Sequence, residues 1–288
     1  MLFACAFPVL FSLCLFSCAD SLNEKNPEKS EELVEAGGIS WPKEDSSSLV
    51  HNCSTGYFSD MKEISVKKGT SVSYNYTVKS GYCHYIMFYD SSNSYMTSYC
   101  SENGKTAGSA SIEIYNSSNS LVASITSSTN MSMNETPSGT FKMVITPSSS
   151  GVVFLYVYQI PLASTLASSA TLTVSSYDYD LWSAFTKAKL TSGTSANYKF
   201  YATSGKTYTI HFIDADIGSG NVYGVPSSRA YAFGQIYSSD GSWSGADLLD
   251  EDEWVSFTPE SSGYYVVSLQ KEGSQLDDGY AGFWIYSY

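Results

Sequence analysis

The feature that most constrains this chain is an internal repeat. Residues 69–76 (GTSVSYNY) line up with residues 193–200 (GTSANYKF), a spacing of 124 residues. The further matches keep the chain order while the spacing falls from 124 through 122 and 112 to 111: Phe88 with Phe212, Asp90 with Asp214, Ile114-Tyr115 with Ile236-Tyr237, 145–151 with 257–263, and 176–177 with 287–288. Ordered self-similarity of this kind indicates a duplicated structural unit. We therefore predict two copies, residues 54–177 and 178–288.

Alternation of apolar and polar residues predicts β-strands in each copy. In the second copy the expected strands cover residues 197–201, 208–212, 232–237, 254–257, 264–269 and 281–288. A turn signal at Ser239–Ser242 predicts a hairpin after the third of them, and a helical pattern is confined to residues 182–189. About six to eight short strands in such a length indicate an all-β fold, with two tandem antiparallel β-sandwich domains of jelly-roll type.

Parts of the second copy resemble a known bacterial domain family. The run from Tyr198 to Ile210, with Ser204-Gly205-Lys206-Thr207-Tyr208 at its centre, is similar to the pre-peptidase C-terminal (PPC) domain, as are residues 236–241 and 262–267. The resemblance covers most of the second copy and, more weakly, the first. It implies a jelly-roll-like sandwich that accompanies secreted enzymes, binds polymers or assists secretion, and has no catalytic role.

The N-terminal segment predicts export and lipid anchoring. Residues 1–17 are almost entirely apolar and uncharged, and Leu15-Phe16-Ser17-Cys18 resembles the bacterial lipobox. The resemblance implies cleavage before Cys18 and acylation of that residue; an ordinary secretory signal is the alternative. Residues 18–53 are charged and poor in aromatic residues, so we expect a flexible tether between the lipid and the folded body. The expected location is the cell envelope, on a bacterial membrane, surface-exposed or periplasmic.

The distribution of charge limits the possible partners. The chain carries a net charge of -13 and a single arginine, Arg229, which argues against a nucleic-acid-binding function. The acidity belongs to the tether and to the second copy, where fourteen acidic and six basic residues give -8, while residues 51–177 are neutral. Any function that depends on a cation or on a basic partner is therefore expected in the second copy.

An acidic segment of the second copy is a candidate calcium site. Residues 213–221 (IDADIGSGN) follow a predicted strand, and calcium prefers carboxylate, amide and backbone oxygens on a tightly folded loop. The candidate ligands are Asp214, Asp216, Asn221 and, from another loop, Asp240. The alternative is that these side chains bond to nearby backbone groups in turns. Calcium is the only candidate cofactor.

Three cysteines remain after the predicted cleavage: Cys53, Cys83 and Cys100, all in the first copy. Outside the cytoplasm one pair is expected to oxidise, and we choose Cys83 with Cys100 because they close a short loop. A zinc site is not expected, since the chain lacks paired Cys-x-x-Cys or His spacings.

Aromatic residues of the second copy form a candidate ligand platform. Tyr223, Tyr231, Trp243 and Trp254 lie in or beside its longest loops, and an exposed aromatic face suits a sugar ring or a partner protein. The alternative is that they are ordinary strand residues with one wet edge. No catalytic residues are predicted, because the chain has neither a Gly-x-Ser-x-Gly nor a His-Glu-x-x-His motif.

These observations lead to two hypotheses about function. The first is a non-catalytic, lipid-anchored surface module for binding or adhesion that recognises a glycan, a matrix protein or an envelope partner. The alternative is an accessory or structural envelope protein that works beside a secreted protease. In both, the membrane is a partner through the lipid anchor.

Overall fold

The computed structural model describes residues 39–40, 48–133, 138–166, 171–176, 186–214, 230–242, 253–271 and 278–288. These residues form β-strands, one α-helix, α1 (Ser94–Glu102), and two 3-10 turns, Phe58–Asp60 and Ala163–Thr165. The predicted all-β class with antiparallel sandwich domains is confirmed, since the strands assemble into four sheets of four or five strands. Neither α1 nor the 3-10 turns have the length and apolar character with which a helix crosses a bilayer.

The first sandwich consists of two facing sheets. One sheet has the order β2-β10-β5-β8, with β3 also paired to β10, and the other has the order β4-β9-β6-β7. In chain order, the first ten strands are β1 (Ile39–Ser40), β2 (Val50–His51), β3 (Lys62–Val66), β4 (Val72–Val78), β5 (Tyr82–Tyr89), β6 (Ala110–Tyr115), β7 (Leu121–Ile125), β8 (Thr129–Met133), β9 (Gly139–Pro147) and β10 (Gly151–Pro161). All of them except β1 belong to the first sandwich.

The second sandwich has the same construction. One sheet has the order β12-β19-β15-β17, with β13 also paired to β19, and the other has the order β1-β14-β18-β16, with β11 also paired to β14. Its strands are β11 (Thr171–Leu172), β12 (Ser175–Ser176), β13 (Thr186–Leu190), β14 (Ser195–Ala202), β15 (Tyr208–Ile213), β16 (Ala232–Ser238), β17 (Glu253–Phe257), β18 (Gly263–Lys271) and β19 (Gly279–Ser287).

The two sandwiches share one connectivity, as expected for a duplicated unit. In each, a short first strand pairs in parallel with the last strand, β2 with β10 and β12 with β19. Ile86 and Ile210, which are 124 residues apart, pair with Val157 and Ile285 at equivalent places in the last strands. The spacing of 124 residues also relates β8 to β17 and β9 to β18, so it persists almost to the end of the repeat.

The two shortest spacings in the sequence comparison, 112 and 111, do not correspond to equivalent positions. Residues 145–151 connect β9 to β10, whereas residues 257–263 connect β17 to β18. Strand β17 is the counterpart of β8, because β8 pairs with β5 and β17 pairs with the equivalent strand β15. The two segments are similar because both form turns between strands, and turns with Pro, Ser and Gly recur wherever the chain reverses.

The predicted tether and domain boundary also need correction. Ile39–Ser40 pairs with Ala196–Asn197 of β14, and Val50–His51 pairs with β10. Parts of the segment 18–53 are therefore structured strands rather than flexible tether. Residues 171–176 pair with β14 and β19, so the second sandwich begins by residue 171 and not at 178. These short strands satisfy backbone groups at the edges of β14, β10 and β19, which composition does not reveal.

Two local predictions fail for reasons of sheet packing. Residues 186–189 of the segment predicted as a helix belong to β13, whose side chains alternate between buried and more exposed from Thr186 to Leu190. Residues 182–185 lie outside the described residues. The turn at Ser239–Ser242 is present, but β16 pairs with β18 and not with the next strand, β17. The chain therefore crosses from one sheet of the sandwich to the other at this point.

The four sheets are stacked in layers with three apolar clusters between them. Each sandwich has its own core, and a third cluster joins the two sandwiches. We call this third cluster the junction; it combines the outer face of β5 and β10, including Tyr85 and Met87, with Tyr237 and Val266 of the second sandwich. Because side chains alternate along β5, Ile86 points into the first core while its neighbours point into the junction.

Candidate functional site

The candidate site is a row of exposed side chains on β17, the strand at the end of its sheet among the described residues. Val255 points into the second core, so Trp254 and Ser256 point outward, and Thr258 follows on the same side. All three are exposed, and the Trp254 side chain is 51% exposed. We call these three residues the Trp254 strip.

The indole of Trp254 is held in place by His211. The two residues face each other directly across the β15–β17 pair, and their ring centroids are 3.7 Å apart with an angle of 15° between the ring planes. One face of the indole is therefore covered by the imidazole, while Trp254 as a whole stays 51% exposed. Burial lowers the pKa of His211 to about 4, so the imidazole is neutral at neutral pH.

A second layer of aromatic rings supports the pair. Trp284 on β19 packs edge-on against His211, with centroids 3.9 Å apart, and edge-on against Trp254 at 5.7 Å. Tyr286, two residues further along β19, also contacts Trp254, at 6.2 Å. Because Trp284 and Tyr286 are buried, the exposed indole rests on a packed base that restricts its rotamers.

The rest of the Trp254 strip offers hydroxyl groups. Ser256 Oγ lies 2.7 Å from Thr209 Oγ1 across the β15–β17 pair. Thr258 Oγ1 lies 3.0 Å from Thr207 Oγ1 one residue beyond the last pair of these strands. A hydroxyl has one donor hydrogen and two acceptor lone pairs, so each pair keeps a hydrogen and several lone pairs for a ligand. The site can therefore stack against an apolar surface and exchange hydrogen bonds with polar groups beside it.

The first sandwich does not repeat this arrangement. The position equivalent to Trp254 is Asn130 on β8, whose Oδ1 accepts a hydrogen bond of 3.0 Å from Tyr89 Oη. The position equivalent to His211 is Met87, which is buried in the junction. The aromatic pair is therefore specific to the second copy.

The four predicted platform residues are not brought together in one described site. Trp254 is in the site, Tyr231 is half-buried just before β16 in the opposite sheet, and Tyr223 and Trp243 lie outside the described residues. The contributions of His211, Ser256 and Thr258 were not predicted from the sequence. The alternating order of Trp254, Ser256 and Thr258 was a usable signal, because side chains two residues apart share one face of a strand.

The candidate calcium ligands are not brought together among the described residues. Asp214 Oδ2 accepts a hydrogen bond of 3.0 Å from the backbone N–H of Ala232, at the start of β16. Asp240 lies in the turn beyond the other end of β16, and seven strand residues separate the two ends by about 20 Å. The described residues hold no cluster of three His, Cys, Asp or Glu side chains. Asp216 and Asn221 lie outside the described residues.

Asp214 instead repeats a structural role seen in the first sandwich. Its counterpart, Asp90, uses Oδ2 to accept from the backbone N–H of Ala110, the first residue of β6. Burial acts to raise the pKa of Asp90, but hydrogen bonds from Ser92, Ser128 and Ala110 outweigh it and lower that pKa. In each copy this aspartate thus holds the start of the same strand.

The cysteines also differ from expectation. Cys83 and Cys100 are buried free thiols, so the predicted Cys83–Cys100 disulfide is not formed in this structure. The Cys83 thiol donates to the carbonyl oxygen of Ile160, with Sγ 3.5 Å from that oxygen, and burial raises its pKa to about 12. Cys100 belongs to α1, and its buried side chain packs into the same junction.

The other two histidines, His84 and His51, each contact a tyrosine. His84 is buried at the end of the first core, and its Nε2 lies 3.3 Å from Tyr76 Oη. Burial lowers the pKa of His84 to about 4, and its Nδ1 has no hydrogen-bond partner among the described residues. His51 stacks on Tyr156 with ring centroids 4.2 Å apart.

Comparisons with known proteins leave the family open. No family model and no curated protein matches the chain. Among solved structures, the CUB1-EGF-CUB2 region of human MASP-1/3 aligns over 79% of this chain and 99% of its own, at 10% identity and a TM-score of 0.23. The same region of rat MASP-1 aligns over 77% of this chain and 96% of its own, at 10% identity and a TM-score of 0.22. A variant of oxalate decarboxylase from B. subtilis aligns over 87% of this chain and 78% of its own, at 10% identity and a TM-score of 0.16. Scores this low support no inference about function.

Proposed function

We propose that this protein is a non-catalytic binding module of the bacterial cell envelope, anchored through Cys18, whose ligand contacts the Trp254 strip. The observation that carries the proposal is the half-exposed indole of Trp254, stacked on the buried ring of His211. Isolated apolar side chains are common on protein surfaces. A tryptophan that is rigidly supported and still open to solvent is less common, and tryptophan is enriched among residues that dominate binding energy.

The rigidity of the site favours a binding role. The indole sits on a sheet rather than on a loop, and the rings of His211, Trp284 and Tyr286 surround its base. A ligand that contacts it therefore orders few side chains on binding, which reduces the entropic cost of association. A carbohydrate, a matrix protein or an envelope partner could each use such a surface.

The environments of the polar groups favour a role without catalysis. His211 is held between two tryptophan rings, and His84 contacts a buried tyrosine. The carboxylates of Asp90 and Asp214 accept hydrogen bonds from backbone groups of their own sandwiches. A general base must reach the proton that it removes in a substrate, and these groups are engaged in holding the fold.

The location and the ion dependence belong to the same proposal. The lipobox-like sequence before Cys18 supports an envelope anchor, and the net charge of -8 in the second copy supports an effect of cations there. The resemblance to PPC domains fits a module that binds polymers or assists secretion. Calcium binding in the segment 213–221 stays a prediction.

The test compares Trp254→Ala with a matched change in the first sandwich. Full-length protein is passed over immobilised glycans and extracellular matrix proteins, with and without calcium, and binding is measured by surface plasmon resonance. We expect Trp254→Ala to weaken binding by about ten-fold or more, as for the central residue of an interface. Asn130→Ala, at the equivalent exposed position of β8, should leave the affinity unchanged. Equal affinity of Trp254→Ala and wild type for every bound ligand would contradict the proposal.

A further inference from the structure

We propose that the Trp254 strip binds a neutral oligosaccharide lying along β17. This inference rests on the proposed binding function and names the class of ligand. It follows from the order of groups on the strand, where one apolar ring face is followed by hydroxyl groups and no charged side chain stands between them. The first two features favour a sugar as the ligand, and the third favours a neutral sugar over an anionic one.

The first feature is the flat face of the indole. Sugar rings present one face made largely of C–H groups, and such a face packs against an aromatic ring with little loss of hydration. The indole of Trp254 is covered on one side by His211, so it offers a single fixed plane. A fixed apolar plane with a few polar groups beside it is the usual composition of a small-molecule site.

The second feature is the pair of hydroxyl bridges, Ser256 with Thr209 and Thr258 with Thr207. After these mutual bonds, each pair can still donate one hydrogen and accept several. The hydroxyls of a sugar also donate and accept, so both partners can be satisfied. The strip runs from Trp254 to Thr258, four residues or about 13 Å, which exceeds one sugar ring and suits a short oligosaccharide.

The third feature is that strands β15, β17 and β19 contain no lysine or arginine; Lys206 is exposed in the turn before β15, beyond the Thr258 end of the strip. The outer faces of β15 and β19 next to it contribute Thr209, neutral His211, Trp284 and Tyr286. The described lysines of the same sheet, Lys187 and Lys189, are on β13, with β19 and β15 between them and β17. At about 4.8 Å per strand they are about 14 Å from β17. The second copy has a net charge of -8, so the sheet around Trp254 and Ser256 offers an anionic glycan little neutralisation.

The experiment measures binding of defined tetrasaccharides to the full-length protein by isothermal titration calorimetry. The neutral probes are maltotetraose, cellotetraose, mannotetraose and chitotetraose, and the anionic probes are tetragalacturonate and a heparin-derived tetrasaccharide. We expect at least one neutral probe to bind and neither anionic probe to do so. Trp254→Ala should weaken that binding by about ten-fold or more. The double variant Ser256→Ala/Thr258→Ala should weaken it by about three- to ten-fold, with Asn130→Ala as the unchanged control.

The outcomes separate this inference from the proposed function. Binding of the anionic probes alone, or binding that both variants leave unchanged, would overturn the choice of a neutral sugar. If no tetrasaccharide binds but a matrix protein binds in a Trp254-dependent manner, the proposed function stands and the sugar inference is wrong. If nothing binds in either experiment, both are wrong.

Discussion

At the scale of single residues, the two buried histidines show how position on a strand decides the role of a side chain. His84 and His211 lie in the equivalent strands β5 and β15, but not at equivalent positions. His84 points into the first core and contacts Tyr76, whereas His211 points outward and supports Trp254. Since both are buried and neutral, neither contributes a positive charge to its surroundings at neutral pH.

Burial of these histidines predicts a loss of stability in acid. The pKa of His84 is about 4 in the folded protein and about 6.5 in the unfolded chain, so the unfolded state binds more protons between these values. The free energy of unfolding should therefore fall as the pH is lowered from 6.5 to 4, with up to about 3 kcal/mol from His84. His211 acts in the same direction. Urea unfolding at several pH values measures the slope.

A double variant assigns the slope to its source. Tyr76→Phe/His84→Phe removes the titrating group together with its hydrogen-bond partner, so no buried polar atom of the pair is left behind. We expect the pH slope to decrease by about one proton between pH 4 and 6.5. An unchanged slope in a folded double variant would assign the titration to other groups.

The residue scale also shows what could be predicted from sequence. Trp254 was identifiable, because a tryptophan beside a long polar loop is a recognisable candidate. His211 was not, because its partner is far along the chain and the contact depends on the register of β15 against β17. Sequence alternation gives the face on which a residue lies, but pairing register comes from the packing of the whole sheet.

At the scale of elements, the duplicated aspartate explains how one strand is placed in both sandwiches. Asp90 and Asp214 directly follow β5 and β15, and each accepts a hydrogen bond from the first backbone N–H of a strand in the facing sheet. The bond therefore links the two sheets of each sandwich at the same corner. Asp90 has additional donors in Ser92 and Ser128, which tie a third segment to this corner.

Replacing these carboxylates should destabilise the protein without involving metal. Asp90→Ala leaves the buried N–H of Ala110 and the donors of Ser92 and Ser128 without an acceptor, so we expect a loss of about 2–4 kcal/mol. Asp214→Ala should cost about 1–3 kcal/mol through the N–H of Ala232. Denaturant unfolding measures both. A conservative Asn replacement keeps one acceptor oxygen and should recover part of the loss.

The same variants bear on the calcium prediction. If Asp214 acts only through Ala232, addition of a chelator should lower the stability of wild type and Asp214→Ala equally or not at all. A loss on chelation in the wild type that disappears in Asp214→Ala would favour calcium at this corner. The comparison with Asp90→Ala supplies the baseline, because Asp90 has the same backbone contact in a neutral copy.

Elements were easier to predict than their connections. The six strands expected in the second copy are all present, because alternation and turn residues are local signals. The hairpin expected at Ser239–Ser242 is absent because β16 pairs with β18. The local turn chemistry is the same whether the next strand lies in the same sheet or in the opposite one, so the sequence does not distinguish them.

At the scale of the whole molecule, the two copies carry equivalent faces that lie in different surroundings. The outer face of β5 and β10 is buried in the junction against Tyr237 and Val266. The equivalent face of β15, β17 and β19 carries the Trp254 strip. The sequence difference between the copies follows this division, since Met87 fits an apolar junction and His211 supports an exposed indole. The repeat was predictable from sequence, but the contact between the copies was not.

The junction depends on a glycine in the turn between β16 and β17. Gly241 has a φ of 83°, and its carbonyl oxygen accepts a hydrogen bond of 2.6 Å from Tyr85 Oη in the other sandwich. A Cβ at this position would lie 2.6 Å from Cβ and 2.7 Å from Sγ of Cys83. A second bridge, from the backbone N–H of Ser54 to Gln270 Oε1, spans 2.6 Å.

These contacts predict that the sandwiches unfold as one unit and that Gly241→Ala weakens their union. Gly205→Ala is the matched control, because Gly205 has a φ of 79° but open space around it. In both variants a residue with a side chain takes the left-handed conformation, which should lower the free energy of unfolding by about 1–2 kcal/mol. In Gly241→Ala, crowding against Cys83 should lower it by a further 1–3 kcal/mol, roughly. Only Gly241→Ala should separate the calorimetric transition into two and expose the Cys83 thiol to alkylation. If it unfolds in a single transition and protects Cys83 as well as Gly205→Ala does, the junction does not couple the two copies.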